Sequence, residues 1–171
     1  RLITSADMPA LGGVYKLCAV VENGKEIPKI KLSDTFAKIT NPGIKNVYRI
    51  YDRETGEAQA DLIYLESEGD YDESKPLTIT HPTERWKQTT YYRYTLRKLL
   101  VPVMKQGKSV YEMPKLKQIK EYAARELASF SDEHKRLDSP HLFKVDLSDA
   151  LYELKNTMIE EIRGGENRAK K

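Results

Sequence analysis

An α+β fold, antiparallel β-hairpins followed by C-terminal helices, is predicted by three features of the 171-residue sequence. Runs of β-branched and aromatic residues over roughly the first two thirds are punctuated by Asn-Gly, Thr-Gly and Gln-Gly pairs, which turn a chain tightly between paired strands. After Pro114 the pattern changes, and apolar residues recur at three- and four-residue spacing, the period of a helix. The length is sufficient for a domain with a core of its own.

In order along the chain, VYKLCAVVE (Val14 to Glu22) is a predicted strand, Asn23-Gly24 its turn and Glu26 to Leu32 its return. Pro28 has no N–H to donate, which places the return strand at a sheet edge. SDTFAK reads as a helical turn capped by Ser33, and TNPGIK as a β-turn. A second hairpin puts Val47, Arg49 and Tyr51 on one face of NVYRIYD and Tyr48 and Ile50 on the other, turns at RETGE with Gly56 left-handed, and returns along AQADLIYLE. The acid-rich SEGDYDESK, with Tyr71 its one apolar anchor, reads as a mobile loop, without the ligand spacing of a calcium loop. PLTIT is a short strand, and LLVPVMKQGKSVYEM a third hairpin with Gln106-Gly107 at its tip. Leu116, Ile119, Tyr122, Ala123 and Leu127 form the stripe of a helix opened by Pro114, and Ser131 opens a short second helix. Ser148 caps a third, whose stripe is Leu151, Leu154, Met158 and Ile162 and whose stop is Gly164-Gly165. Both stripes are expected to face a core.

Around the sole tryptophan, Trp86, aromatic and basic side chains interleave: Arg85, Lys87, Tyr91, Tyr92, Arg93, Tyr94 and Arg97. Two readings stand open. Such a run can stack single-stranded bases, or it can be a strand with one face on a core and the other in water.

Composition narrows the function classes. Lys and Arg number 29 against 26 Asp and Glu, and the net charge of +3 does not by itself argue for nucleic acid. No apolar run approaches the roughly 20 residues of a membrane span, and a soluble cytoplasmic protein is the expectation. Cys18, in an apolar run, is expected to act as a small buried hydrophobe. His81, His134 and His141 fall in no zinc pattern, Gly12-Gly13 completes neither a P-loop nor a dinucleotide fingerprint, and no G-x-S-x-G elbow occurs. Glu160 and Glu161 are adjacent on a helix and point apart, which is wrong for shared acid–base work. The chain begins at Arg1 and its first methionine is Met8, so a segment of a longer polypeptide is expected.

Taken together, RLITSADMPALGGVYKL, KIKLSDTFAKITNPGIKNVYRIYD, LLVPVMKQGKSVYEMP, LKQIKEYAARELASF and HKRLDSPHLFKVDLSDALYELKNTMIEEIR resemble the C-terminal portion of the nicotinate phosphoribosyltransferase family. The resemblance implies an enzyme joining nicotinate to phosphoribosyl pyrophosphate with ATP hydrolysis and Mg²⁺, forming nicotinate mononucleotide for NAD synthesis, in a cytoplasmic homodimer. It implies an α/β barrel packed on an open-faced sandwich with a C-terminal extension. On that plan residues 1–13 end the barrel and cross over, 14–66 join the sandwich, 67–75 are an acidic loop, 76–163 a strand and helix region and 164–171 a tail. The family's phosphate loop would directly precede Arg1, so Arg1, Thr4 and Ser5 are expected to border it, and no catalytic residue and no metal ligand is carried over. GGVYKL is where the chain would leave the barrel, Val14 to Val21 then adding a strand to the sandwich sheet. The alternative is a non-catalytic binding or dimerisation module, one version of it contacting single-stranded nucleic acid through the Trp86 segment.

Overall fold

The computed structural model describes residues 13–35 and 38–169, so Phe36 and Ala37 of the SDTFAK turn lie outside the described residues. It is an α+β structure. The first hairpin, β1 (Ala19–Glu22) and β2 (Lys25–Pro28), forms a two-stranded sheet by itself. Asn23 and Gly24 take φ values of 51° and 73°, the left-handed pair of a tight hairpin turn. The strand is shorter than expected: residues 14–18 are extended without pairing, and Val14, Tyr15 and Leu17 stand in solvent. Cys18 is half-buried rather than buried, and its carbonyl accepts from Lys29 N and Gly43 N, both at 2.8 Å.

The main sheet has six strands. β3 (Lys45–Asp52) and β4 (Ala58–Leu65) are the second predicted hairpin, followed by β5 (Leu77–Thr80), β6 (Gln88–Tyr91), β7 (Tyr94–Lys98) and β10 (Val145–Leu147), in the spatial order β6-β5-β10-β4-β3-β7. β10 was not expected from the sequence. It lies between β4, to which it is parallel, and β5, to which it is antiparallel.

The two edge strands are consecutive in sequence and joined by only Tyr92-Arg93. Three peptide links reach about 11 Å, whereas the outer strands of a flat six-stranded sheet stand about 24 Å apart. The sheet must therefore curl until its edges meet at one corner. The core agrees: Tyr94 from one edge joins Leu77 and Ile79 from the other end, with Tyr48, Ile50, Ala60, Leu62 and Tyr64, in one buried cluster on the concave face. Arg53 N donates to Arg93 O (3.3 Å), tying the corner to the β3–β4 turn.

The acid-rich loop does not behave as its composition suggested. A 3₁₀ turn at Glu66–Glu68 starts it, and Tyr71 then packs edge-on against Tyr64 and Tyr48, at ring-centroid distances of 5.4 and 6.1 Å, while Tyr48 and Tyr64 stack at 4.8 Å. Tyr48 donates to Asp70 and Tyr71 to Glu68 (both 2.8 Å), and burial pushes both phenols well above their ordinary pKa. Glu73 accepts from Leu96 N (2.8 Å), and Glu68 accepts from Ser148 Oγ (2.7 Å). The acids are used as hydrogen-bond acceptors that fasten the loop over one end of the curl.

Between the sheet and the C-terminal helix come β8 (Met104–Lys105) and β9 (Lys108–Ser109), a short hairpin turning at Gln106-Gly107 as predicted, then α1 (Leu116–Ala128) and α2 (Asp132–Lys135). α3 (Asp149–Ala169) is capped by Ser148, whose Oγ accepts from Leu151 N (3.1 Å). Its Leu151 and Ile159 are buried, as a core stripe should be. Gly164-Gly165 does not end it, because both glycines lie in open space with helical backbone and cost the helix only about 1 kcal/mol each. α1 departs from expectation in the opposite way: none of its residues is buried.

Gly43 precedes β3 at φ +82°, where an added Cβ would stand 2.6 Å from Leu65 Cδ2; at Gly56, φ +73°, nothing lies within 4 Å. Gly43→Ala is expected to lower stability by roughly 1–3 kcal/mol, and Gly56→Ala by less, since it meets the backbone cost alone. Urea unfolding of the two variants checks this; equal midpoints would contradict it.

Candidate functional site

The convex face of the sheet carries an ionic cluster. Arg49, projecting from β3, donates from Nε and Nη2 to both oxygens of Asp61 on β4, at 2.8 and 2.9 Å, a bidentate pair. Its guanidinium lies against a pair of rings that touch each other, 4.9 Å from the centroid of Phe130 and 5.4 Å from that of Phe143, and its Nη1 is 3.6 Å from Glu126. Glu126 also receives both Arg97 nitrogens, Nη1 at 2.7 Å, so one carboxylate of α1 is gripped by two arginines of the sheet. The hydrogen bonds from Arg97 hold Glu126 below the usual glutamate range, and the bond to Asp61 raises Arg49 above its own. Ala58 N donates to Ser129 O (2.7 Å) just past the helix.

His134 and His141 meet here. The first contacts the second's backbone carbonyl through Nδ1 at 2.8 Å, and its ring packs edge-on with Phe130, Phe143 and the ring of His141. They serve packing, and His81 lies elsewhere in the fold.

Held by its polar side, α1 turns its apolar stripe outward. Leu116 is 73% exposed, Ile119 45% and Tyr122 53%. With Tyr111, Met113 and Pro114 from the preceding segment, Ile119 and Tyr122 line a groove of about 460 Å³. Val101, Val103, Met104 and Val110, in and around the β8–β9 hairpin, are exposed as well. So much contiguous apolar surface in one stretch of sequence marks an interaction face. The amphipathic spacing was legible in the sequence; which side of the helix met the rest of the chain was not.

The cations of the Trp86 segment are already committed. Arg85 pairs with Asp149 (3.0 Å) and Glu153 (3.1 Å), Lys87 with Glu84 (2.7 Å), Arg93 with Glu54 and Arg97 with Glu126. Tyr94 is in the core and Tyr91 is half-buried, leaving Trp86 and Tyr92 as the exposed aromatics of the run. The strand reading accounts for Tyr91, Tyr94 and the paired cations. Arg1, Thr4 and Ser5 lie outside the described residues. Among the described residues, no group of three or more His, Cys, Asp or Glu side chains is placed to hold a metal ion, and no helix is long and apolar enough to cross a membrane.

A curled sheet with an outward-facing apolar helix is the kind of domain that packs on a larger body. Residues 44–155 match the family described as nicotinate phosphoribosyltransferase C-terminal domain, and the match runs straight through the acid-rich loop, which the sequence resemblance had left outside. The chain is 34% identical over 166 residues to nicotinate phosphoribosyltransferase of Bacillus subtilis, covering 95% of this chain and 33% of the relative. It is 35% identical over 159 residues to that of Caenorhabditis elegans, covering 92% of this chain and 27% of the relative. The crystal structure of human nicotinic acid phosphoribosyltransferase superposes with a TM-score of 0.64 at 27% identity, over 70% of this chain and 24% of that one. The chain belongs to the nicotinate phosphoribosyltransferase C-terminal domain family, and it spans about a third or less of the length of these relatives.

Because the folded pKa of Glu126 is depressed, the stability it contributes is present above the ordinary glutamate pKa and is lost as pH falls through the lower folded value. Glu126→Gln is therefore expected to be less stable than the parent near neutral pH, and the gap should narrow on acidification. Urea midpoints measured from neutral pH down to the acid range test this. A gap that stays constant would assign the stabilisation to something other than charge.

Proposed function

We propose that this chain is the supporting C-terminal part of a nicotinate phosphoribosyltransferase, the enzyme that joins nicotinate to phosphoribosyl pyrophosphate, coupled to ATP hydrolysis, to give nicotinate mononucleotide for NAD synthesis. The observation that carries this reading is the apolar face of α1 and the β8–β9 hairpin, exposed on a chain that covers only a third of its Bacillus subtilis relative. The occupant of that face is the polypeptide that precedes this segment in the longer enzyme. Arg1, Thr4 and Ser5 border the phosphate loop supplied from there.

The chemistry sets requirements that this segment meets indirectly. A transition state with cationic character at the ribose needs the pyrophosphate and the 5′-phosphate gripped by cations and backbone N–H groups. Here the arginines with the best geometry, Arg49 and Arg97, are bound to Asp61 and Glu126. Their role is to hold α1 in place. No step is assigned to the metal or to ATP within this segment. A cytoplasmic homodimer is the assembly the reading implies.

Two measurements test it. The 171-residue chain, given nicotinate, phosphoribosyl pyrophosphate, ATP and Mg²⁺, is expected to form no nicotinate mononucleotide, and the same chain joined to the preceding family sequence is expected to form it; turnover by the isolated chain would overturn the reading. In the joined protein, Ile119→Asp with Tyr122→Asp is expected to lower activity about tenfold or more by opening the packed face. The same pair in the isolated chain should leave its unfolding free energy in urea unchanged within about 0.5 kcal/mol, because both side chains are exposed there. Loss of stability in the isolated chain would place the two side chains in its core.

A further inference from the structure

The concave face of the sheet is apolar at the tyrosine stack and changes character toward β6 and β10. Leu147 is opposite Thr80, so Asp146 stands beside His81 and, opposite Leu62 on β4, shares the face of the core cluster. Asp146 is 3% exposed. Among the described residues none donates a hydrogen bond to its carboxylate and none pairs with it directly; Lys144 acts on it only as a neighbouring positive charge. The residual exposure of Asp146 is into a cavity, and a nearly buried carboxylate that meets a cavity without a protein donor is a recurrent sign of a ligand position. A cavity of about 370 Å³ opens here, bounded by Asp146, Lys144, His81, Gln88, Thr89, Trp86 and Lys87, the last with its ammonium already paired to Glu84 (2.7 Å).

The lining is selective by sign. A simple anion would meet Asp146, and a simple cation would meet Lys144, so the complementary ligand is neutral and carries donors and an acceptor side by side. Lys144 donates one proton to Thr89 Oγ1 (2.8 Å) and has two more to give. His81 Nδ1 lies 3.3 Å from Thr83 N, which donates to it, so the ring proton belongs on Nε2. Trp86 is 77% exposed; the Lys87 ammonium sits 4.9 Å over its ring, leaving one face open to a flat partner.

We propose that this cavity binds a planar heterocycle whose edge carries an N–H and NH₂ donor pair beside a carbonyl, the edge of guanine and of pterins, with Asp146 accepting the pair, Lys144 and His81 facing the carbonyl, and Trp86 stacked on the ring. The assignment is independent of the enzyme's own substrates and of the packing of α1.

Trp86 is the only tryptophan in the chain, so its fluorescence reports on this cavity alone. The 171-residue chain is titrated with guanosine, guanosine monophosphate, inosine, adenosine and inorganic phosphate, with calorimetry alongside. Guanosine is expected to give a saturable change with a dissociation constant on the order of 1 mM or tighter. Inosine, which lacks the amine, should bind about tenfold more weakly, and adenosine, which turns a lone pair toward Asp146, should not bind. Guanosine monophosphate binding more tightly than guanosine would identify the nucleotide as the physiological form; equal binding would identify the free base or nucleoside. Asp146→Asn is expected to weaken guanosine about tenfold or more, and Trp86→Leu, at an exposed position, to weaken it in calorimetry without loss of fold. No response to guanosine, equal response to adenosine, or a response shared by guanosine monophosphate and inorganic phosphate but not by guanosine would overturn the proposal.

Discussion

One carboxylate fixes the position of an entire helix. α1 buries no residue, yet it is held at a definite place because Glu126 is shared by Arg97 and Arg49 while Arg49 is locked to Asp61 and set against Phe130 and Phe143. Each partner satisfies donors that would otherwise lie against apolar rings, and removing one member would leave the opposite charge exposed to that cost. An apolar contact could slide by a residue; a forked guanidinium on a carboxylate admits few alternative registers. The geometry of the outward apolar face therefore descends from charges on the opposite side of the helix.

The two faces of the sheet divide the labour. Inside the curl, tyrosines supply bulk and a single polar atom each, and their hydroxyls reach the acidic loop that covers one end. Outside, α3 covers Leu147 with Leu151, and the arginine cluster receives α1. Ser148 belongs to both systems: its hydroxyl caps α3 and donates to Glu68 of the loop. A change in the loop is thereby felt at the start of the C-terminal helix.

What could be read from the sequence was local. Asn23-Gly24, Gly56 and Gln106-Gly107 marked their turns because few residues tolerate positive φ, and the stripe around Leu151 and the Ser148 cap marked α3. What escaped was nonlocal or depended on a partner. β10 is three residues long, too short for any periodicity, and its pairing with β4 spans some 80 residues of chain. The stripe of α1 revealed an apolar face without revealing which side of the helix meets the sheet, because that is set by Arg49 and Arg97 on distant strands. The acidic loop was misread from composition: Tyr71 and the hydrogen-bonding capacity of Glu68, Asp70 and Glu73 outweigh their net charge. Of the candidate site residues, Arg1, Thr4 and Ser5 lie outside the described residues, and Asp146 carried no motif, since its significance arises only where strand pairing sets it beside His81.

The place of β10 in the middle of the sheet has a consequence for biosynthesis. Until residues 145–147 leave the ribosome, β3, β4 and β7 form one incomplete ribbon and β5 with β6 another, each with an unpaired edge. A nascent polypeptide of this kind stays open through most of its translation and closes in a late step, so pausing or premature termination before that point would release two sticky half-sheets to the quality-control machinery.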